Sequence, residues 1–97
     1  MNLNKYETLY IVSAKIEETQ RKALIEKLTN LCPEGTEVDE WGIKDLAYPI
    51  RAKSTGEHFK GFYILVKYTS TPEFPEELQR HMRLSDDVLR FLTERVS

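Results

Sequence analysis

Apolar residues recur along this chain at two different periods, and the places where the period switches divide it into six segments. Tyr6-Glu7-Thr8-Leu9-Tyr10-Ile11-Val12 is dense in aromatic and β-branched residues, which suit a pleated, half-buried surface, and it predicts a first strand. From about Glu17 to Leu31 the period lengthens: Ala23, Leu24, Leu28 and Leu31 recur at three- and four-residue spacings with charges between them, the mark of an amphipathic helix. Glu17 and Glu18 are expected in its first turn, where the helix dipole favours anions, and Cys32-Pro33-Glu34-Gly35 ends it.

Thr36 to Ala52 predicts a long second strand. Pro49 has no N–H to give to a ladder, so this strand belongs at a sheet edge. Ser54-Thr55-Gly56-Glu57 is a polar turn, and His58 to Tyr68, with seven apolar or aromatic members among eleven residues, predicts a third strand paired with the second as a hairpin. A second helix follows: Pro75 suits a first helical turn, Glu73, Glu76 and Glu77 suit its dipole, and Phe74, Leu78 and Met82 form an i, i+4, i+8 stripe. Val88 to Val96 closes the chain as a fourth strand.

Strand, helix, strand, strand, helix, strand is the split βαβ order, so the expected fold is α+β and ferredoxin-like: βαββαβ, a four-stranded antiparallel sheet carrying both helices on one face. Such a sheet keeps one face bare, and a bare face is polar unless something binds it. Here both faces carry large apolar groups. In the first strand Tyr6, Thr8, Tyr10 and Val12 share one side and Glu7, Leu9 and Ile11 the other; in the third, Phe62, Ile64, Val66 and Tyr68 oppose Gly61, Tyr63, Leu65 and Lys67. Assigning the sets with Tyr10 and Ile64 to the core leaves Leu9, Ile11, Tyr63 and Leu65 on the uncovered face. That set reads either as scattered surface apolars or as a docking face for a partner, with Trp41 as an anchor wherever it is exposed.

Composition sharpens this picture only in part. With 97 residues, 40% hydrophobic and 31% charged, the chain suits one domain, residues 1–97, able to fold alone. A single cysteine, Cys32, leaves no internal disulfide and no cysteine metal cluster, which fits a reducing compartment. The start Met1-Asn2-Leu3-Asn4-Lys5 lacks a secretion signal's basic and apolar regions, and no run approaches the roughly 18 apolar residues of a membrane span, so a cytoplasmic location without membrane contact is expected. The net charge of -2 argues against a polyanion partner until its distribution is considered. Residues 43–68 carry a local balance of +3, leaving -5 for the remainder: a basic middle in an acidic chain.

The run Asp45-Leu46-Ala47-Tyr48-Pro49-Ile50, preceded by Trp41-Gly42-Ile43-Lys44, resembles the second-strand signature gly-leu-x-x-leu-ala-tyr-pro-ile of the bacterial small-subunit ribosomal protein family S-six. Lys5-Tyr6-Glu7 is similar to that family's opening, and Leu84-Ser85-Asp86-Asp87-Val88-Leu89-Arg90-Phe91 to its passage from second helix into last strand, so the resemblance covers nearly the whole chain. It implies a non-enzymatic ribosomal protein, monomeric when isolated, that binds the central domain of small-subunit ribosomal RNA as a heterodimer with ribosomal protein S-eighteen. Where the family often has an arginine pair this chain has Lys44-Asp45, and where it has an arginine-rich start this chain has Asn4-Lys5.

Contact with RNA rests chiefly on lysine and arginine at phosphates, since double-helical RNA offers side chains little base information in its deep groove. The candidates are Lys5, Lys44, Arg51, Arg83 and Arg90, on strand edges or in the approach to the last strand, with Tyr6 as a stacking or hydrogen-bonding residue at the same edge. Tyr48-Pro49 is read as shaping the edge strand. His58 and His81 share no ligand spacing with Cys32, so neither a metal nor any other cofactor is expected. No phosphate loop, nucleophile elbow or two-histidine helix motif points to an enzyme or a small-molecule substrate.

The alternative is a single-strand RNA-binding module like the RNA-recognition motif, which shares this element order and stacks bases on its open sheet face. Lys60 to Lys67 begins like that module's octapeptide, yet of the three aromatic places only Phe62 is filled, Ile64 and Lys67 taking the other two. A ferredoxin-like acyl phosphate hydrolase would need an anion-cradling loop after the first strand, where Ser13-Ala14-Lys15 supplies no glycine.

Overall fold

A computed structural model describes residues 2–97. Its elements run β1 (Asn4–Ser13), α1 (Glu18–Leu31), β2 (Glu37–Ala52), β3 (Gly56–Ser70), α2 (Phe74–Arg83) and β4 (Val88–Arg95). The strands form one sheet in the order β2-β3-β1-β4, with every neighbouring pair antiparallel. This is the expected βαββαβ ferredoxin-like fold, and β2 with its Pro49 lies at the edge.

Strict alternation along β1 and β3 fills the core from one face. Tyr6, Tyr10, Val12, Phe62, Ile64, Val66 and Tyr68 are buried against Ile25 and Leu28 of α1 and Leu78 and Met82 of α2. The α2 stripe holds as expected: Phe74 meets Tyr68 edge-on at 5.3 Å, and Leu78 and Met82 lie beneath. The α1 stripe does not. Its buried residues are Ile25 and Leu28 with Leu24 half-buried, while Ala23 is exposed and Leu31 keeps 36% of its surface. At 3.6 residues per turn Ala23 lies roughly 160° around the helix from Ile25, so the two cannot share a face. Glu17 is the N-cap rather than a first-turn residue, its N–H donating to Gln20 Oε1 at 3.3 Å.

Two irregularities shape β2. Trp41 and Gly42 together oppose Tyr63, one extra residue in the ladder, and Gly42 holds the bulge with φ +88. Because side chains alternate, the extra residue keeps Trp41 on the open face and then returns Ile43 to the helix side and Lys44 to the open side. Further on, Asp45 pairs with Lys60 and Ile50 with His58, so Leu46–Pro49 arches out of the ladder with three residues more than β3 offers.

The β2–β3 turn is tied back to the body. Lys15 Nζ donates to the carbonyls of Thr55 and Glu57 at 2.9 and 2.7 Å. Beneath them His58 is buried, with Nε2 at 2.7 Å from Thr55 Oγ1.

Candidate RNA and partner interface

Cross-strand pairing orders the open face into rows. One row sets Leu65, Leu9 and Leu92 side by side; the next sets Tyr63 beside Ile11 and Arg90. Trp41 lies parallel to Tyr63, ring centroids 6.3 Å apart and planes within 6°, and Lys44 Nζ stands 5.3 Å from the Trp41 ring. The expected face of Leu9, Ile11, Tyr63 and Leu65 therefore exists as a contiguous apolar band, with Trp41 at one margin, 41% exposed. Leu92 belongs to it at 61% exposure and escaped notice in sequence, because its face depends on the pairing of β4 with β1.

The band separates unlike charges. On the side where β1 begins, Glu37, Lys67, Glu7 and Glu94 form one row across all four strands, and Asp39 pairs with Leu65 beside it. The row itself holds three carboxylates and one ammonium. Toward the other end stand Lys44, opposite Gly61, and Arg90, opposite Ile11; the hairpin beyond adds Arg51, Lys53 and Lys60. The basic middle of the sequence thus becomes one end of the sheet.

The candidate cations are not all gathered. Lys44 and Arg90 share the open face of that basic end. Arg51 lies on the hairpin with Glu57 Oε1 3.5 Å from its guanidinium, and Arg83 sits on the last turn of α2, over the Phe91 ring at 5.6 Å, on the helix side. Lys5 is six residues before Ile11 on β1, hence about 20 Å from Arg90 at ordinary strand rise. Its surroundings include Glu7, Glu34 and Glu37. Tyr6 is a correction: its ring is 8% exposed and stacked on Tyr68 at 5.8 Å, so it is a core residue with no free face for a base.

Phe62 corrects the recognition-motif alternative in the same way. That reading needs the ring on the open face, whereas Phe62 points to the helices, 8% exposed and covered by the Arg21 guanidinium at 4.3 Å. Burial pushes the Cys32 thiol up to about 11, and it donates to the Leu28 carbonyl at 3.5 Å, an environment that keeps it protonated. His81 lies 3.5 Å from Glu77 on α2, away from His58 at the hairpin.

The element order, the sheet order and the single-sided helical layer define a ferredoxin-like sandwich with an open, charge-divided face. Within that class the chain belongs to the ribosomal protein S6 family, whose profile matches residues 5–95. It is 43% identical over 94 residues to the small ribosomal subunit protein bS6 of Caldanaerobacter subterraneus, covering 93% of this chain and 94% of the relative. It is 34% identical to that of Lawsonia intracellularis, covering 94% and 85%. The solved structure of 30S ribosomal protein S6 from Thermotoga maritima shares the fold with a TM-score of 0.82 at 22% identity, over 98% of this chain and 89% of that one.

Proposed function

We propose that this chain is a non-catalytic structural protein of the bacterial small ribosomal subunit, located in the cytoplasm, that binds the central domain of small-subunit ribosomal RNA jointly with ribosomal protein S-eighteen. The observation that carries the reading is the division of the open face. An apolar band of Leu9, Ile11, Tyr63, Leu65 and Leu92 suits a protein partner, and the end bearing Lys44, Arg51 and Arg90 suits phosphates. Names borne by relatives up to 43% identical support the ribosomal setting.

Neither half of the face is large or basic enough to hold RNA alone, since the chain carries net charge -2. Joint binding follows: the partner covers the apolar band and brings further cations, so the two proteins meet the RNA as one surface. The isolated chain is then a monomer that binds ribosomal RNA poorly. Titrating a central-domain transcript with this chain, with S-eighteen and with both together tests the reading, and equal affinity with and without S-eighteen refutes it. Sedimentation of the tagged chain with small subunits in a cell extract tests the ribosomal setting independently.

A further inference from the structure

The β2–β3 hairpin outruns the sheet that carries it. β3 pairs with β1 as far as Gly61, opposite Ser13; from Lys60 back to Gly56 the ladder continues with β2 alone among the described residues, and the arch Leu46–Pro49 interrupts even that pairing. The tip that bears Arg51 and Lys53 is thus a two-stranded ribbon, a structure of marginal stability in water on its own. Ile50 and His58 anchor it on the helix side, where both are buried, but Arg51, Lys53, Ser54, Gly56 and Glu57 are exposed. Lys15, from the connection between β1 and α1, closes on this turn: its Nζ donates to the Thr55 and Glu57 carbonyls at 2.9 and 2.7 Å. Its own backbone is fixed in turn. The Lys15 N–H donates to Oγ of buried Ser13 at 3.1 Å, and the Ser13 N–H donates to the Asp87 carbonyl at 2.8 Å.

We infer that Lys15 is a positioning residue for RNA binding, its ammonium clamping the β2–β3 turn so that Arg51 and Lys53 are in place before RNA arrives. The inference rests on the RNA-binding reading above and adds a residue that serves it without touching phosphate. A lysine at the basic end invites a simpler reading, as one more phosphate contact. Geometry favours the clamp: an ammonium has three N–H donors, and two are already given to carbonyls within the protein. A phosphate would have to compete with those bonds. Both acceptors are backbone atoms of one turn, so the bonds restrain the chain itself and not merely a side chain. A flexible ribbon loses its freedom when it binds, and that loss subtracts from affinity; a ribbon held beforehand loses less. Arg51 is the cation most directly served, because its partner Glu57, 3.5 Å from the guanidinium, is the residue whose carbonyl Lys15 holds.

The experiment uses the full chain with S-eighteen and a central-domain transcript. Lys15→Met, which keeps the apolar stem and removes the donors, is expected to weaken RNA binding by about three- to tenfold, the scale of ordering a short segment on binding. The slope of log affinity against log salt is expected to stay as in the parent, because Lys15 releases no counterion of its own. Lys15→Arg, which can donate to the same two carbonyls, is expected to bind like the parent. In an Arg51→Gln, Lys53→Gln background Lys15→Met is expected to cost nothing further, since the cations it positions are gone. Hydrogen exchange of the free chain is expected to quicken at amides 52–58 in Lys15→Met and to stay slow where β1 and β3 pair. A slope lower by about one unit with Lys15→Met would make Lys15 a phosphate contact and overturn the inference. An undiminished loss in the double-variant background, unchanged RNA affinity or unchanged exchange would overturn it too. In each of these cases the parent complex still binds RNA; failure of the parent itself would instead bring down the RNA-binding reading, and the inference with it.

Discussion

The Cγ2 methyl of Ile11 occupies the place where a side chain on Gly61 would begin, diagonally across the β1–β3 ladder, in which Gly61 pairs with Ser13 and Ile11 with Tyr63. A glycine is needed there for space, and it lets Ile11 and Leu46 close over β3 and complete the apolar band. Gly61→Ala is expected to destabilise the fold by about 1–3 kcal/mol, the usual cost of overpacking. Urea unfolding checks this, and Gly61→Val is expected to cost more.

Tyr10 lies wholly inside the core, and its hydroxyl has no hydrogen-bond partner among the described residues. Burial, with Cys32 and Glu40 adding to it, pushes that hydroxyl far above the usual tyrosine range. An unpaired polar atom in the core costs free energy, and removing it alone leaves the ring packing intact. Tyr10→Phe is therefore expected to leave stability unchanged or raise it by up to roughly 1 kcal/mol. Thr8, whose hydroxyl lies 2.9 Å from Tyr68 Oη and 2.8 Å from Thr93 Oγ1, provides the contrast. Thr8→Val breaks a satisfied network, and is expected to lower stability in the same denaturation assay.

Acid should loosen the hairpin. Burial lowers the pKa of His58 from its ordinary 6.5, Lys15 nearby lowers it further, and Asp87 opposes them. A base whose folded pKa is depressed stays neutral in the fold while the unfolded chain takes up a proton. Its stability contribution is thus complete above about pH 6.5 and is lost as pH falls toward and through the folded value. Thermal unfolding between pH 7.5 and pH 5 is expected to show this decline, and His58→Gln to flatten it.

Phosphate contacts reveal themselves through salt. Each cation that neutralises a phosphate adds close to one unit to the slope of log affinity against log salt. In the complex with S-eighteen and the central-domain transcript, Lys44→Gln, Arg51→Gln and Arg90→Gln are each expected to lower that slope by about one. Lys5→Gln is expected to leave it unchanged, because Lys5 lies at the other end of β1 among Glu7, Glu34 and Glu37.

The partner surface responds differently. Leu92→Asp places a carboxylate at the β4 end of the apolar row, beside Leu9, and is expected to weaken S-eighteen binding by at least about tenfold, the effect of desolvating an unpaired charge at an interface. Leu92 is mostly exposed, so unfolding curves of this variant should match the parent's.

The sequence by itself determined the element order, because the period of apolar residues switches between two and three-to-four at each boundary. It also determined the face of β1 and β3, where Tyr6, Tyr10 and Val12, broken only by Thr8, and Phe62 to Tyr68 recur on one side. Pro49 identified an edge strand because a missing N–H is a property of the residue itself. The α1 stripe differs from the sequence expectation because Ala23 and Ile25 are both apolar, and only packing against the sheet selects between two overlapping stripes. The tertiary structure alone decided where the cations go. Lys44 reaches the open face because the Trp41–Gly42 bulge shifts the register by one, and Arg90 joins it because β4 pairs with β1. Tyr6 and Phe62, by contrast, lie in the alternating sets that the sequence already assigns to the core; a cation's face and neighbours depend on pairings between segments distant in sequence.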